Sequence, residues 1–165
     1  MRNVLLLIKR MAVLSGVMAI LFLCLVSCKL RSSQLTFHHI GDQGWRSTDT
    51  CHFPVDSLLD SGTYELSVAF RSSSAFRYPY RQLVLEVSSA SKQSASAVVD
   101  TLTCNLTQRD GEVVGRGVGV YAYEFPVDTL LLHKDSIDRV SIRHLMRTSP
   151  LKGVYDIGIL LRKIS

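Results

Sequence analysis

The cysteine with the most specific sequence context is Cys28, which follows the aliphatic and small residues Leu25-Val26-Ser27. Upstream of it, Met11 to Val26 is apolar apart from Ser15 and Gly16, and basic residues precede this run. A basic start, an apolar stretch and a small residue at its end are typical of an export signal. A cysteine sulfur is the side-chain nucleophile best suited to accept a diacylglyceryl group. The sequence therefore predicts cleavage before Cys28 and attachment of lipid to its sulfur.

An uncleaved transmembrane anchor is the alternative, but the apolar run is shorter than the ~20 residues that a spanning helix needs. Cleavage removes Arg2, Lys9 and Arg10 and no acidic residue. It leaves 16 of the 19 Lys and Arg residues against 14 Asp and Glu residues. The basic character of the whole chain therefore belongs largely to the signal, and it gives no reason to expect nucleic acid as a partner.

Two cysteines, Cys51 and Cys104, remain as thiols after cleavage, because Cys24 leaves with the signal and Cys28 carries lipid. Two cysteines in an exported domain can form one disulfide. Two buried thiols are the alternative of equal weight. If each strand lies where the pattern below places it, we expect the two side chains to be near each other.

The histidine, serine and glycine patterns give little support for catalysis. No two of the five histidines have the spacing of a zinc-ligand set, and no serine lies in a nucleophile-elbow sequence. His144 lies on the apolar face of a predicted strand, which indicates a hydrogen-bonded core histidine. The glycines of Asp110-Gly111 and Gly115–Gly119 lead into a strand and not a helix, so they predict turns and bulges. We therefore predict no catalytic residues, metal, cofactor or small-molecule substrate.

Alternating apolar residues predict the elements that position these groups. Every second residue from Tyr64 to Phe70 is apolar, which predicts a half-buried strand with Ser67 and Ala69 on its other face. The same period predicts strands at Gln82–Ser88, Val98–Leu106, Val118–Phe125, Arg139–Met146 and Val154–Arg162, with weaker candidates at Leu35–His38 and Cys51–Val55. A short helical turn is predicted at Pro126–Lys134.

Turn-forming residues separate the strands at Asp60–Gly62, Ser88–Ser96, Asp110-Gly111 and Pro150–Gly153. Six clear strands and two weaker ones, without crossover helices, predict an antiparallel β-sandwich of jelly-roll or immunoglobulin-like type. We therefore assign residues 1–27 to a lipoprotein signal peptide, 28–34 to a tether and 35–165 to a single sandwich domain.

One predicted loop concentrates residues that often bind partners. The segment Arg71 to Arg81 carries three arginines and three aromatic residues, which suit glycans, peptides or acidic partners. The simpler interpretation is a strand connection whose tyrosines pack on the edge of the sandwich. Arg147, in the last predicted hairpin, is placed to project beside this loop. The candidate binding surface is therefore Arg71, Tyr78, Tyr80 and Arg147.

These motifs, in this order, resemble the GldH family of gliding-motility lipoproteins of Bacteroidota. The resemblance rests on Cys28, Gly44-Trp45, Tyr64, Arg71, Tyr78-Pro79-Tyr80 with Leu83, Asp100–Leu102, Asp110-Gly111, Gly115–Gly117, Met146-Arg147 and Leu151–Ile159. It covers nearly the whole chain after the signal. It departs at Val113, where many members have tryptophan, and in the serine-rich run Ser88–Ser96.

The resemblance implies a non-catalytic lipoprotein, held on a membrane through Cys28, that binds other envelope proteins to support gliding motility or the associated secretion machinery. The alternative from another class is a glycan-binding module of an outer-membrane nutrient-uptake system, with Arg71, Tyr78 and Tyr80 as its platform. Neighbouring genes for motility or secretion would favour the first function, and genes for transporters and glycosidases the second.

Two further expectations come from resemblance to other proteins of that phylum. Surface-exposed lipoproteins carry an acidic cluster after the lipidated cysteine, and Lys29-Leu30-Arg31 lacks one, which implies an outer-membrane protein facing the periplasm. An Asp followed by Ser or Thr and an aliphatic residue resembles an O-glycan acceptor. The candidate acceptors are Ser57, Thr101, Thr129 and Ser136.

Overall fold

The alternating sequence folds into eight antiparallel strands in the computed structural model, which describes residues 33–55, 59–73, 81–91, 94–132 and 139–165. The strands are β1 (Ser33–His39), β2 (Cys51–Pro54), β3 (Gly62–Ser73), β4 (Gln82–Ser91), β5 (Ser94–Asn105), β6 (Val120–Leu132), β7 (Arg139–His144) and β8 (Val154–Lys163). In these ranges no helix is long and apolar enough to cross a membrane. The all-β prediction is confirmed.

The strands form two four-stranded sheets, sheet 1 in the order β1-β8-β3-β6 and sheet 2 in the order β2-β7-β4-β5. The pairs β4 with β5, β3 with β6, β2 with β7 and β1 with β8 are nested and antiparallel. They correspond to one long hairpin ribbon that is rolled so that β3 also pairs with β8, and β4 with β7. This arrangement is a jelly roll, so the sandwich prediction is confirmed and the immunoglobulin-like alternative is not.

The hydrophobic core lies between the two sheets, where the apolar face of each strand points. Tyr64 and Phe70 of β3 are fully buried, as the alternation predicts. Ser67 and Ala69, on the other face of β3, are also buried, with exposures of 2% and 7%. The half-buried description of this strand is therefore incomplete, because its outer face forms the floor of a groove.

The helical turn predicted at Pro126–Lys134 is wrong, because β6 continues through Pro126 to Leu132. The two residues after Leu132 lie outside the described residues. The register between β3 and β6 shifts here, since Leu66 pairs with Asp128 and Ser67 with Pro126. The β-bulge accommodates an extra residue and interrupts the period of two, so the sequence pattern locally imitates a helix. As an edge strand, β6 tolerates a residue without an N–H group.

Two predicted boundaries are also wrong. β1 begins at Ser33, so the last two residues of the predicted tether belong to the sandwich. The serine-rich separator is mostly strand, because β4 continues to Ser91 and β5 begins at Ser94, and these two residues pair. Backbone pairing extends these strands beyond their apolar residues, where a hydrophobic pattern gives no signal.

The connections β1–β2, β3–β4, β5–β6 and β7–β8 begin and end at the same end of the sandwich, which we call the loop end. Trp45 pairs with Leu151 there, and the Ser73 N–H donates to Gly153 O at 2.7 Å. Ser33 lies at the opposite end, paired with Arg162 near the end of β8. The chain therefore enters the sandwich at the end away from the four loops.

A candidate binding groove on the outer face of sheet 1

The structure places two of the four predicted binding residues. Arg71 lies near the end of β3 with its side chain on the outer face of sheet 1, and Arg147 is exposed in the β7–β8 connection. Tyr78 and Tyr80 lie outside the described residues. Both arginines are at the loop end but on different elements. Arg71 has well-defined contacts and lines a groove on the outer face of sheet 1.

The Arg71 side chain is held from two sides. Its Nη1 lies 3.6 Å from Asp156 Oδ2, and its Cζ lies 4.3 Å from the centre of the Phe37 ring. The other oxygen of Asp156 lies 3.0 Å from His39 Nδ1. Exposed ion pairs contribute only about 0–1 kcal/mol to stability. The main consequence of these contacts is therefore orientation, because they fix the guanidinium group over the outer face of the sheet.

The Phe37 ring lies between Arg71 and the backbone of β8. Phe37 pairs with Gly158 across the strands, and a Cβ atom at Gly158 would come within 2.7 Å of Phe37 Cδ1. The missing side chain therefore lets the ring pack closely against the strand, since glycine in a strand interior often permits such an approach. The Arg71 guanidinium group lies over a face of the same ring.

A second arginine, Arg116, is placed beside Arg71 by the glycine-rich segment. Its backbone exchanges two hydrogen bonds with Ala122, at 2.9 and 2.8 Å, so this segment pairs with the outer edge of β6. Gly115 lies against the Tyr123 ring, and Gly117 has a φ of 140° against Val120 O. These glycines lie where a Cβ atom would clash, so they fix the position of Arg116. The turn and bulge interpretation is confirmed.

Strand pairing brings the two arginines into one row across the sheet. Asp156 pairs with Arg71, Arg71 with Ala122, and Ala122 with Arg116. Directly paired residues in antiparallel strands have their side chains on the same face. Arg71 and Arg116 therefore flank the small side chain of Ala122 on the outer face of sheet 1.

A groove of about 630 Å³ runs along β3 below this row. Its floor consists of the small side chains of Ser67, Ala69 and Ala122. Its walls are formed by Leu35, Phe37 and Leu160 on one side and by Val114, Arg116, Glu124 and Pro126 on the other. At the end away from the loops, Arg162 bridges Glu65 at 3.4 Å and Glu124 at 3.2 Å. The groove thus has a net positive charge at the loop end, from Arg71 and Arg116 against Asp156, and a net negative charge at the other end.

Arg71 was predicted from the sequence as a binding residue, but most of the other residues that line the groove were not. Phe37 lies in a strand predicted only weakly, and Arg116 was assigned to a turn. Gly158, between two core isoleucines of β8, was the available signal, because glycine inside a strand often marks a close approach by another group. No pattern within one strand reveals which side chains become neighbours across four strands.

The expectation that Cys51 and Cys104 are near each other is wrong. Both are free, buried thiols. Cys51 lies on β2 and Cys104 on β5, the opposite edges of sheet 2, with β7 and β4 between them. Three strand spacings amount to roughly 14 Å, about twice the Cα separation that a disulfide allows. Burial raises the pKa of the Cys51 thiol to about 11 and that of Cys104 to about 12.

His144 is confirmed as a hydrogen-bonded core histidine, with an exposure of 1%. Its Nε2 lies 3.0 Å from Trp45 O, and the Met146 N–H donates to its Nδ1 at 3.3 Å. Burial lowers its pKa, which favours the neutral ring. In the described ranges no group of three His, Cys, Asp or Glu side chains could hold a metal ion.

Two of the four predicted O-glycan acceptors have known surroundings. Thr101 on β5 and Thr129 on β6 are both exposed. Ser57, Ser136 and the predicted lipidation site Cys28 lie outside the described residues. Accessibility therefore permits modification at Thr101 and Thr129.

The fold and the groove define an all-β jelly-roll protein with a cleft on one sheet. A family model described as GldH lipoprotein matches residues 34–161, so the chain belongs to the GldH lipoprotein family. The predicted family is thereby confirmed. A relative named "Gliding motility lipoprotein GldH homolog", from Christiangramia forsetii, is 23% identical over 133 residues, which cover 72% of this chain and 77% of the relative.

The solved structures to which the chain is similar are distant from it in both sequence and backbone superposition. The Eiger TNF of S. frugiperda is 9% identical with a TM-score of 0.36, and covers 82% of this chain and 94% of its own. The globular domain of the zebrafish complement 1qA protein is 12% identical with a TM-score of 0.40, and covers 82% of this chain and 98% of its own.

Proposed function

We propose that the chain is a non-catalytic envelope lipoprotein that supports gliding motility, the associated protein secretion, or both, by binding other envelope proteins. The observation that carries this proposal is the family match over residues 34–161, together with a relative named for gliding motility. The lipobox sequence before Cys28 supplies the anchor. The absence of an acidic cluster at Lys29-Leu30-Arg31 favours an outer-membrane position facing the periplasm.

The route of the chain into the sandwich supports a binding role for the loop end. Four residues lie between Cys28 and Ser33, and the five steps from one Cα atom to the next span at most about 18 Å when the chain is extended. A lipid on Cys28 would therefore hold the Ser33 end of the sandwich close to the membrane. The four loops and the Arg71 end of the groove would then face away from the membrane, where partner proteins can reach them.

The described nucleophiles support a non-catalytic role. Cys51 and Cys104 are buried with raised pKa values, so at neutral pH they are protonated and shielded. His144 uses both ring nitrogens in structural hydrogen bonds. In the described ranges, Cys51, Cys104 and His144 therefore have structural roles in the core.

The groove favours protein over glycan as the bound class. Glycan-binding sites commonly present an aromatic face to a sugar ring, but Arg71 lies over a face of Phe37 and the ring packs against β8. The other aromatic residues on the groove, Phe70, Tyr123 and Phe125, stack on one another toward the core. Arginine, by contrast, is among the residues that dominate protein interfaces.

The experiment is deletion of the gene in its own organism, followed by complementation with the wild-type gene or with Cys28→Ser. We expect the deletion to abolish colony spreading, secretion of extracellular proteins, or both, and only the wild-type gene to restore them. Immunoblots should show comparable amounts of both complementing proteins. A deletion strain that spreads and secretes like its parent would overturn the proposal.

A further inference from the structure

We propose that the groove binds an extended, acidic peptide segment of a partner protein, with a carboxylate of that segment at the loop end of the groove, where Arg116 and Arg71 lie. This inference rests on the proposed function, and it names the chemistry of the partner that a protein-binding role requires.

The two arginines line the same end of the groove, on either side of Ala122. Adjacent antiparallel strands place paired Cα atoms about 5 Å apart, so about 10 Å separates the Cα atoms of Arg71 and Arg116 across Ala122. The alanine methyl group leaves the space above it open. A carboxylate over Ala122 can accept hydrogen bonds from Arg116, and Arg71 adds positive charge from the other side of the groove. Charge-assisted hydrogen bonds of this kind are among the strongest in proteins.

The existing ion pairs leave this position positive. Asp156 and the Phe37 ring hold the Arg71 guanidinium group on the β8 side of β3, where one carboxylate contacts it at 3.6 Å. Within the part of the chain that the structure describes, Arg116 makes no ion pair. At the far end of the groove, Arg162 contacts two carboxylates, Glu65 and Glu124, which leaves a net negative charge there. A carboxylate is therefore attracted to the loop end and repelled from the far end, which orients a bound segment.

The shape of the groove suits an extended chain. From Arg71 to Glu65 the floor follows one strand for about 20 Å, the length of roughly six extended residues. The small residues of the floor leave room for a backbone, and the walls offer apolar contacts from Leu35, Leu160 and Val114. An acidic residue flanked by apolar residues in a β conformation fits both features.

The test uses the full-length lipoprotein in detergent micelles and pooled, capped octapeptides. Three pools carry Glu, Gln or Lys at one fixed central position, with the other positions randomised. Bound peptides are recovered by affinity selection and counted by mass spectrometry. We expect the Glu pool to be enriched about tenfold over the Gln pool, the factor that one charge-assisted pair typically supplies. The Lys pool should not be enriched.

Four variants locate the effect. Arg71→Gln and Arg116→Gln should each abolish the preference for Glu, and Arg116→Glu should reverse it toward Lys. Arg139→Gln is the matched control, because it removes the same charge from an exposed position on sheet 2 and should keep the preference. Thermal transitions of all variants check folding, and Arg116 is exposed, so its replacement should leave the transition unchanged.

Three results would overturn the proposal. They are equal recovery of the Glu and Gln pools, a Glu preference that survives Arg116→Gln, and binding of oligosaccharides such as xylohexaose that depends on both arginines. The proposed function is tested separately, because complementation with Arg116→Glu reports on the groove alone. A strain that spreads and secretes normally with this variant, but not with an empty vector, would contradict the groove and leave the proposed function intact.

Discussion

His144 joins β7 to the β1–β2 connection through Trp45. Its Nε2 lies 3.0 Å from Trp45 O, and the two rings meet edge to face with centroids 5.1 Å apart. Because Nδ1 accepts the Met146 N–H, the neutral ring must donate through Nε2. Protonation would place a second donor opposite the Met146 N–H. Burial and this geometry together oppose the charged form.

We therefore predict that the free energy of unfolding decreases as the pH falls through about 6.5, the pKa of an unfolded histidine. Burial lowers the pKa of His144 in the folded state, so the unfolded chain binds the proton more readily. The stabilising contribution is complete above the unfolded pKa and is lost as the pH falls toward the folded one. Urea unfolding of the full-length protein between pH 5 and 8, in roughly half-unit steps, measures this dependence.

His144→Gln should flatten that pH dependence, although it also lowers stability at every pH. The control is His52→Gln, which removes an exposed histidine bonded to Ser141 Oγ and should keep the wild-type slope. An unchanged slope in His144→Gln would assign the pH dependence to another group.

Short-range patterns predicted the fold and the family, whereas the site depends on long-range pairing. The alternation in β3 and β8 was sufficient for a sandwich, because core side chains there follow the period of two closely. The alternating pattern did not predict the strand at Pro126, because a β-bulge interrupts the period of two there. The row from Asp156 to Arg116 joins residues from four separate segments, and their registers are set by tertiary packing.

Gly158→Ala should lower the free energy of unfolding by about 1–3 kcal/mol, the usual effect of overpacking. The added methyl group would meet the Phe37 ring and the backbone of Thr36. Gly41→Ala is the matched control, because a Cβ atom there meets nothing within 4 Å. Its unfolding free energy should stay within about 0.5 kcal/mol of wild type. Urea denaturation measures both, and equal stabilities would contradict the close packing of Phe37 on β8.

Cys51 and Cys104 should behave as unreactive free thiols. Their buried positions and raised pKa values predict no alkylation by iodoacetamide in the native protein at neutral pH. In denaturant, both should be alkylated completely without any reducing agent. Mass spectrometry of the peptides that contain them reads out the result. Alkylation that requires prior reduction would reveal a disulfide and contradict the strand order of sheet 2.

Cys28→Ser should abolish lipidation, because a hydroxyl cannot replace the sulfur nucleophile at this step. Metabolic labelling with a radioactive or alkyne-tagged fatty acid should give a labelled wild-type protein and an unlabelled variant. The variant should also leave the detergent phase in phase partitioning. Cys24→Ser is the control, since it lies within the predicted signal and should keep the label. Label retained by Cys28→Ser would contradict the lipobox assignment.

Val118→Cys should be protected from a membrane-impermeant maleimide in intact cells, if the domain faces the periplasm as the sequence after Cys28 implies. Val118 is fully exposed at the loop end, so an introduced thiol there is accessible in the folded protein. Wild-type protein provides a low background, because Cys51 and Cys104 are buried and Cys28 carries lipid in this proposal. Permeabilising the outer membrane with EDTA should make the variant reactive. Equal labelling before and after permeabilisation would place the domain on the cell surface.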